Sequence, residues 1–283
     1  MYNPSLCWHL QRFCQERSPR RKADQETSMG DPESGELRVL VGTKNEHKLG
    51  EIRIILGTAG SADAGGPGAP GSKRDGPKRY GERHLRLSSA ADLPSMEPVE
   101  ENGDTFAENA TIKARAFARA AVALPRESRP QLVIADDSGL CVDALEGAPG
   151  VHSARYAGLD ASDADNNEKL LRELVGVKQS ERSAEFVCTI ACARVPDATE
   201  NEAEILFLVK GRAQGEILSA LHGNAGFGYD PLFYYPPLDK TFAELGDEKH
   251  RVSHRSEALA RLQEALEEHA PRLCDADRQE RNR

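Results

Sequence analysis

The amino-acid sequence predicts an α/β fold, in which strands alternate with helices along the chain. The apolar run 37–41 ends in Gly42, a pattern typical of a buried strand followed by a tight turn. Residues 45–56 follow directly and carry apolar side chains at helical spacing. A second apolar run, 131–135, leads into a polar turn at 136–139, the place where open α/β sheets carry their chemistry. This order of elements indicates an α/β domain.

The other elements follow the same local signals. Thr105 and Glu108 have the spacing of a helix capping box, which predicts a helix from Thr105 to about Ala123. Ser253 is placed to cap a later amphipathic helix. By hydrophobic pattern we further predict helices over 163–175 and 253–268, and strands over 184–195 and 204–211.

Composition limits the possible classes of protein. The chain has 283 residues, of which 39% are hydrophobic, enough to form a buried core. Its formal net charge of -9 argues against a general nucleic-acid binder. No apolar run is long enough to span a membrane, and the six cysteines lack the paired short spacings of zinc sites or disulfide scaffolds. We therefore expect a cytoplasmic protein with reduced thiols that binds neither nucleic acid nor membrane.

The chain divides into three parts by composition. Residues 1–36 show no sustained apolar period and are predicted to be a disordered N-terminal extension. One domain is predicted over 37–270, interrupted by a Gly/Pro-rich flexible insertion at 57–97, because 57–81 alone contains eight glycines and three prolines. Residues 271–283 are predicted to form a charged C-terminal tail.

The loop 42–48 is a candidate phosphate site, since it joins a strand to a helix. Backbone N–H groups and the positive end of the helix dipole favour an anion there, and Lys44 and Lys48 add charge. The loop lacks the spacing of a P-loop, and lysines near a helix start are usually solvated. The candidate substrate-binding residues of this loop are Thr43, Lys44, Asn45, Glu46, His47 and Lys48.

Two pairs of carboxylates suit a magnesium ion, which prefers hard oxygen ligands. Glu100 and Glu101 precede the capped helix, and Asp136 and Asp137 follow a strand. Adjacent glutamates on a polar segment are commonly just solvated. Two aspartates after an apolar strand are costly unless capping, a metal or catalysis occupies them. We therefore favour a functional role for the aspartates and give the glutamates less weight.

Three further groups of residues carry candidate ligands. Asn109 and Lys113 lie four apart on one helix face, where they either converge on a pocket or form a surface pair. His254 and Arg255 sit at a helix start, where an anion would meet a guanidinium, unless the turn is only a cap. The segment 226–231 combines glycines with two aromatic rings, which suits either base stacking or an ordinary packed loop.

Together these segments resemble the inosine triphosphate pyrophosphatase family, also called the XTP/dITP diphosphatase or HAM1-like family. The resemblance extends from about Val39 to about Glu268. The motifs that carry it are T-x-N-x-x-K at 43–48, F-x-E-N-A at 106–110, A-D-D-S-G-L at 135–140, G-A-P-G at 147–150, S-A-R-Y at 153–156, G-F-G-Y-D-P at 226–231 and S-H-R at 253–255.

The resemblance implies a central mixed sheet flanked by helices, with two lobes and a nucleotide cleft between them, in a homodimer. It implies an Mg²⁺-dependent hydrolase that converts the non-standard purine nucleotides ITP, dITP and XTP to the monophosphate and pyrophosphate, and so cleanses the nucleotide pool. On this basis we expect Asp137 to be the general base and a metal ligand, with Glu100 or Glu101 as the second acidic ligand.

The remaining roles follow from the same resemblance. The loop with Thr43, Asn45 and Lys48 is expected to bind the triphosphate, and Lys48 and Lys113 to stabilise its charge. Expected substrate contacts are Ser138, the base-binding loop Phe227, Gly228, Tyr229 and Asp230, and the nucleotide-binding residues Lys249, His254 and Arg255.

One departure from the family pattern is Lys44, where the family usually has glycine between Thr43 and Asn45. Two other functions therefore stay open. A pyrophosphatase of Maf type would share the fold and the reaction but prefer other bases. A nucleotide-binding protein without turnover would keep the cleft alone.

Overall fold

The computed structural model describes residues 36–56, 79–80, 83–94, 96–197 and 202–281. The predicted N-terminal extension, apart from its last residue, lies outside these residues, as does 57–78 of the predicted insertion. Within the described part of the chain, no helix is sufficiently long and apolar to cross a bilayer.

The core of the fold is one mixed sheet, as the resemblance implied. It contains eight strands in the order β2-β3-β1-β4-β5-β6-β7-β8. The strand β1 pairs in parallel with both β3 and β4, and all other neighbours are antiparallel. The strands are β1 Glu36–Val41, β2 Arg79–Tyr80, β3 Arg83–Ser89, β4 Leu132–Val142, β5 Ser183–Arg194, β6 Ile205–Ile217, β7 Phe233–Tyr235 and β8 Lys240–Thr241.

Six α-helices accompany the sheet in the described residues, and the four that were predicted are present. They are α1 Glu46–Ile55, α2 Phe106–Ala121, α3 Asp163–Glu173, α4 Phe242–Leu245, α5 Lys249–Val252 and α6 His254–Arg281. The predicted capping box of Thr105 and Glu108 is confirmed at the start of α2. Helix α6 ends at Arg281 instead of near Glu268, so it continues through most of the predicted tail.

The two faces of the sheet are covered by different helices, because alternate residues of a strand point to opposite faces. Val39 of β1 packs in a cluster with α1 and α6, whereas the adjacent Leu40 packs in a cluster with α2. A third cluster joins the far ends of β4, β5 and β6 to α3 and α4. The core is thus divided into regions at the two ends of the long strands, consistent with the expected two lobes.

The strand β3 contradicts part of the predicted flexible insertion at 57–97. It pairs with β1 along the full length of that strand, from Glu36 opposite His84 to Val41 opposite Ser89. Its apolar residues Leu85 and Leu87 alternate with His84 and Arg86, as expected for a strand. The glycines and prolines that predict an insertion lie mainly before this segment. The alternation of apolar and polar residues that indicates a strand lies after them.

The predicted turn after the strand 131–135 is also wrong. Strand β4 continues to Val142, so Asp136 and Asp137 lie inside it. β5 pairs with β4 over its whole length and supplies the backbone hydrogen bonds that extend it. On the other edge, β1 pairs with β4 only as far as Ile134. The two aspartates therefore lie just beyond the end of β1, where that edge of β4 is open.

Candidate functional site

A cavity of about 660 Å³ opens where β1 ends, between the two regions of the core. Its volume is in the range of small-molecule sites. The predicted site residues that line it are Thr43, Lys44, Asn45, Lys48, Glu101, Lys113, Asp137, Ser138, Phe227, Gly228, Tyr229, Asp230, Lys249, His254 and Arg255. Three predicted residues, Glu46, His47 and Glu100, are exposed and do not line the cavity.

The loop between β1 and α1 is shaped by its own side chains. The Thr43 hydroxyl accepts a hydrogen bond from the Asn45 N–H, and the Asn45 side chain caps α1 by accepting from the Lys48 N–H at 3.1 Å. These contacts fix the first turn of α1 at the cavity. Lys48 then directs its ammonium to Asp136, 2.9 Å away. The loop presents a helix N-terminus and a cation to the same space, as an anion site requires.

Asp137, Glu101 and Lys113 form a second charged group. The Lys113 Nζ lies 2.8 Å from Asp137 Oδ1 and 2.9 Å from Glu101 Oε2. Asn109, one turn earlier on α2, places its amide nitrogen 3.4 Å from Asp137 Oδ2. The spacing of Asn109 and Lys113 thus brings both side chains to one carboxylate.

The two carboxylates of this group differ in proton affinity. Burial raises the pKa of Asp137 above its ordinary value, and the nearby Glu101 adds to this, while Lys113 acts in the opposite direction. Burial would also raise the pKa of Glu101, but the attraction of Lys113 outweighs it and lowers the pKa. Asp137 is therefore the better proton acceptor of the two.

The same group has the chemistry of a magnesium site. Mg²⁺ usually takes one or two protein carboxylates and completes its shell with waters and substrate phosphates. Asp137 and Glu101 supply two carboxylates that already share one cation, Lys113. Among the residues that the structure describes, no cluster of three or more acidic, histidine or cysteine side chains forms a complete cage. The residues present fit an ion whose other ligands come from solvent and substrate.

Asp136, next to Asp137 in the chain, is held in a different way. It accepts from Arg255 at 3.3 Å and from the Ser138 hydroxyl at 3.1 Å, in addition to its pair with Lys48. Burial alone would raise its pKa, but Lys48 and Arg255 outweigh burial and hold the pKa far below the usual value. Asp136 is therefore a permanent carboxylate that positions two cations.

The aromatic loop, residues 226–231, also contributes to the lining of the cavity. The Phe227 ring stacks on the ring of His47, with centroids 5.4 Å apart, and the Lys249 Nζ lies 4.8 Å from its centre. Burial raises the pKa of Tyr229, and its hydroxyl donates to the Ser153 carbonyl at 2.8 Å, so this ring belongs to the core. Of the two aromatic residues, only Phe227 is placed to stack on a ligand.

Asp230 fixes the conformation of this loop. It accepts from the Phe227 N–H at 2.9 Å and from Lys249 at 2.6 Å. Gly226 has a φ of 77°, and a Cβ there would lie 2.1 Å from Asp230 Oδ2, so only glycine fits. The Asp230 carboxylate is thus engaged by the protein itself.

His254 also lines the cavity. Its ring stacks on Phe186 with centroids 4.7 Å apart. Burial, assisted by Arg255 and Lys249, lowers its pKa well below the ordinary value, so the imidazole is neutral at physiological pH. Its Nδ1 has no hydrogen-bond partner within the described part of the chain.

Comparisons with known proteins identify the family of this chain. A sequence profile of the Ham1 family matches residues 39–265. The chain belongs to the Ham1 family. A dITP/XTP pyrophosphatase of Geobacillus kaustophilus is 47% identical over 199 residues, which cover 70% of this chain and 90% of the relative. A dITP/XTP pyrophosphatase of Clostridium perfringens is 49% identical over 231 residues, covering 81% of this chain and 97% of the relative.

Solved structures of Ham1 proteins share the fold. The HAM1 protein of Coxiella burnetii has a TM-score of 0.61 and 34% identity, covering 82% of this chain and 99% of its own. The Ham1 protein of Staphylococcus aureus has a TM-score of 0.59 and 36% identity, covering 81% of this chain and 98% of its own.

One acidic residue of this Ham1 family member escaped the sequence analysis. Glu51 is 8% exposed and joins Lys249, at 2.9 Å, to Arg255. It lies three residues after Lys48 on α1, so both side chains are on one helix face. Position 51 has buried apolar residues on either side and lies on the same helix face as Lys48. A role for Glu51 in the site could have been predicted from this spacing.

Proposed function

We propose that this chain is an Mg²⁺-dependent nucleoside-triphosphate pyrophosphatase that hydrolyses ITP, dITP and XTP to the monophosphate and pyrophosphate. The main supporting observation is that one cavity is lined both by the Asp137 and Glu101 carboxylates and by the Phe227 ring. The names of the relatives from G. kaustophilus and C. perfringens support dITP and XTP as substrates. Such an enzyme removes non-standard purines from the nucleotide pool.

At the phosphate end, Asp137 and Glu101 would hold Mg²⁺, which neutralises phosphate charge when bound. Asp137 orients a water molecule and takes its proton as the oxygen attacks the α-phosphorus. The bond from the α-phosphorus to its bridging oxygen breaks, and pyrophosphate leaves. Lys48 and Lys113 stabilise the negative charge that develops, because preorganised cations in a partly dry site need little reorganisation.

In the proposed complex, a purine base stacks on the Phe227 ring in place of the His47 ring, which stacks on it in the structure. The Lys249 Nζ lies 4.8 Å and the Arg255 guanidinium carbon 6.0 Å from the centre of this ring, and His254 lines the same cavity. Hydrogen-bond donors here favour the 6-oxo group of hypoxanthine and xanthine. Adenine presents an amino donor at the same position and would leave donors on both sides unpaired.

The first prediction concerns the general base. Purified protein should release pyrophosphate from ITP with Mg²⁺ and not after EDTA treatment. Asp137→Asn should lower kcat by at least ~100-fold, because the water loses its proton acceptor. The Glu101→Gln variant should need more Mg²⁺ for half-maximal rate, whereas Glu100→Gln, altered at an exposed residue outside the cavity, should behave as wild type.

Turnover that survives Asp137→Asn would show that the assigned base is wrong. Nucleotide binding without pyrophosphate release by the wild type would indicate a binding protein. A panel with dTTP and UTP separates this activity from that of a Maf-type pyrophosphatase. The expected homodimer, the cytoplasmic location and the absence of nucleic-acid binding stay predictions.

A further inference from the structure

Helix α3 is attached to the aromatic loop through both polar groups of one residue, Gly228. The Gly228 N–H donates to Asp163 Oδ2 at 2.6 Å. The Gly228 carbonyl accepts from the amide nitrogen of Asn167 at 2.9 Å. The same nitrogen donates to the backbone carbonyl of Asp163 at 2.8 Å, so the Asn167 side chain is also held by the first turn of α3.

Gly228 needs such an external attachment. Its φ is 62°, and as a glycine it has no side chain with which to anchor the loop. Its N–H belongs to the peptide that follows Phe227, and its carbonyl belongs to the peptide that precedes Tyr229. Fixing both groups therefore fixes the backbone orientation on the carboxyl side of Phe227.

The helix that provides this attachment is itself firmly placed. Ser162 and Asp165 form a capping box at its start, and Leu170 is fully buried in the core. Asn166 accepts from the Ala157 N–H at 2.8 Å and so ties α3 to a neighbouring wall of the cavity. The first turns of α3 are thus a rigid support for the loop.

We propose that Asp163 and Asn167 are positioning residues that hold the aromatic loop in the conformation that binds the nucleotide base. By fixing Gly228, they set the position of the Phe227 ring beside Lys249 and Arg255 before a nucleotide arrives. Preorganisation of this kind strengthens binding because the loop does not have to be ordered when the ligand binds. The part about nucleotides rests on the proposed function, whereas the attachment of the loop does not.

The two residues differ in a way that separates positioning from direct contact. Asp163 lines the cavity, but Asn167 is buried and does not line it. A nucleotide that touched Asp163 directly would be insensitive to a change at Asn167. If the loop is positioned through Gly228, both variants must weaken binding.

The experiment compares Asp163→Ala and Asn167→Asp with wild type and with Glu168→Ala as a matched control. Asn167→Asp keeps the size of the side chain but replaces the donor with a carboxylate that faces two carbonyl oxygens. Glu168 carries the same charge as Asp163, is exposed on the same helix and lies outside the capping box. Thermal unfolding checks that each variant is folded.

We expect the KM for ITP to rise roughly 10-fold in Asp163→Ala and in Asn167→Asp, since each removes one hydrogen bond to Gly228. The kcat should stay near the wild-type value, because the groups around Asp137 are unchanged. Asp163→Asn, which retains an oxygen acceptor, should recover part of the loss. A folded pair of variants with unchanged KM, or with lower kcat and unchanged KM, would overturn the proposal.

Amide hydrogen exchange provides a readout that needs no substrate. A peptide covering 226–230 should exchange faster in both variants than in wild type or Glu168→Ala, because the Gly228 N–H loses its protection. If wild type fails to hydrolyse ITP, the proposed function is wrong, and the exchange rates alone decide whether α3 holds the loop. Equal exchange in all variants would contradict the attachment.

Discussion

Asp136 and Asp137 are neighbours in strand β4, but their carboxylates lie in opposite electrostatic environments. Asp136 faces Lys48 and Arg255, which keep it ionised, whereas burial raises the pKa of Asp137. The place of these two aspartates after an apolar run predicts a functional role for the pair. Only the resemblance identifies Asp137 as the base, because the alternation that sends each side chain to a different set of cations requires the strand to continue.

The second prediction also belongs to single residues. Glu51→Gln should lower the free energy of unfolding by ~3 kcal/mol at neutral pH, because Lys249 and Arg255 lose a buried counter-charge. Urea unfolding measures this loss. Glu46→Gln, an exposed change on the same helix, should alter the free energy by less than ~1 kcal/mol.

The pH dependence of this difference has a defined sign. Burial would raise the pKa of Glu51, but Arg255 and Lys249 outweigh it and lower the pKa below 4.5. A lowered pKa in the folded state stabilises the protein above the unfolded-state value, and the contribution is lost as the pH falls through the folded-state pKa. The gap between wild type and Glu51→Gln should therefore shrink below pH 4.5. A gap that is constant with pH would contradict the ion-pair account.

At the scale of elements, the contact between β6 and α6 places part of the site. Helix α6 carries His254 and Arg255 in its first turn and packs closely over Gly211 of β6. A Cβ at Gly211 would lie 2.2 Å from the His254 carbonyl oxygen and 2.3 Å from the Ala258 nitrogen. These are backbone atoms, so the helix would have to move. The identity of one glycine thus controls where two site residues lie.

The third prediction follows from this contact. Gly211→Ala should cost ~2 kcal/mol of stability through overpacking and should raise the KM for nucleotide, because the first turn of α6 is displaced. The matched control is Gly50→Ala in the middle of α1, where an added Cβ meets nothing within 4 Å. That change should stabilise the protein by ~0.5 kcal/mol or slightly more, as expected for alanine in a helix. Thermal unfolding and ITP kinetics test both, and equal effects would argue against close packing.

The elements that the sequence revealed were those with strong local signals. The helices α1, α2 and α3 follow from their periods and caps, and their starts agree within a residue or two. The strand β3 and the length of β4 were missed, because both depend on a partner strand far away in the chain. Strand pairing is a property of the sheet and leaves only a weak signal in the strand itself.

At the scale of the whole molecule, the Gly/Pro-rich segment 57–78 lies between α1 and β2. Its composition predicts that it contributes little to the core. The fourth prediction is that a Gly/Ser linker of about half the length leaves ITP turnover intact and changes stability by less than ~1 kcal/mol, because closure entropy varies slowly with loop length.

A Gly/Ser linker of the full length serves as the control. It separates an effect of the natural sequence from an effect of length. If both folded linker variants lose turnover, the natural segment takes part in the function. If only the half-length linker variant loses turnover, the function requires the natural length of the segment. Pyrophosphate release and urea unfolding are the measurements.

The sequence by itself determined the chemistry of the site and most of its local structure. Capping boxes and helical periods involve residues three or four apart, and the short motifs of the Ham1 family are contiguous, so both can be read along the chain. Only the tertiary structure decided which charges meet. Glu51 joins Lys249 and Arg255 across 198 and 204 residues, and Lys113 selects Glu101, not the adjacent Glu100, as the partner of Asp137. These pairings join residues that are far apart in the chain. The order of the strands in the sheet brings their segments together, and contacts over such separations leave no local pattern in the sequence.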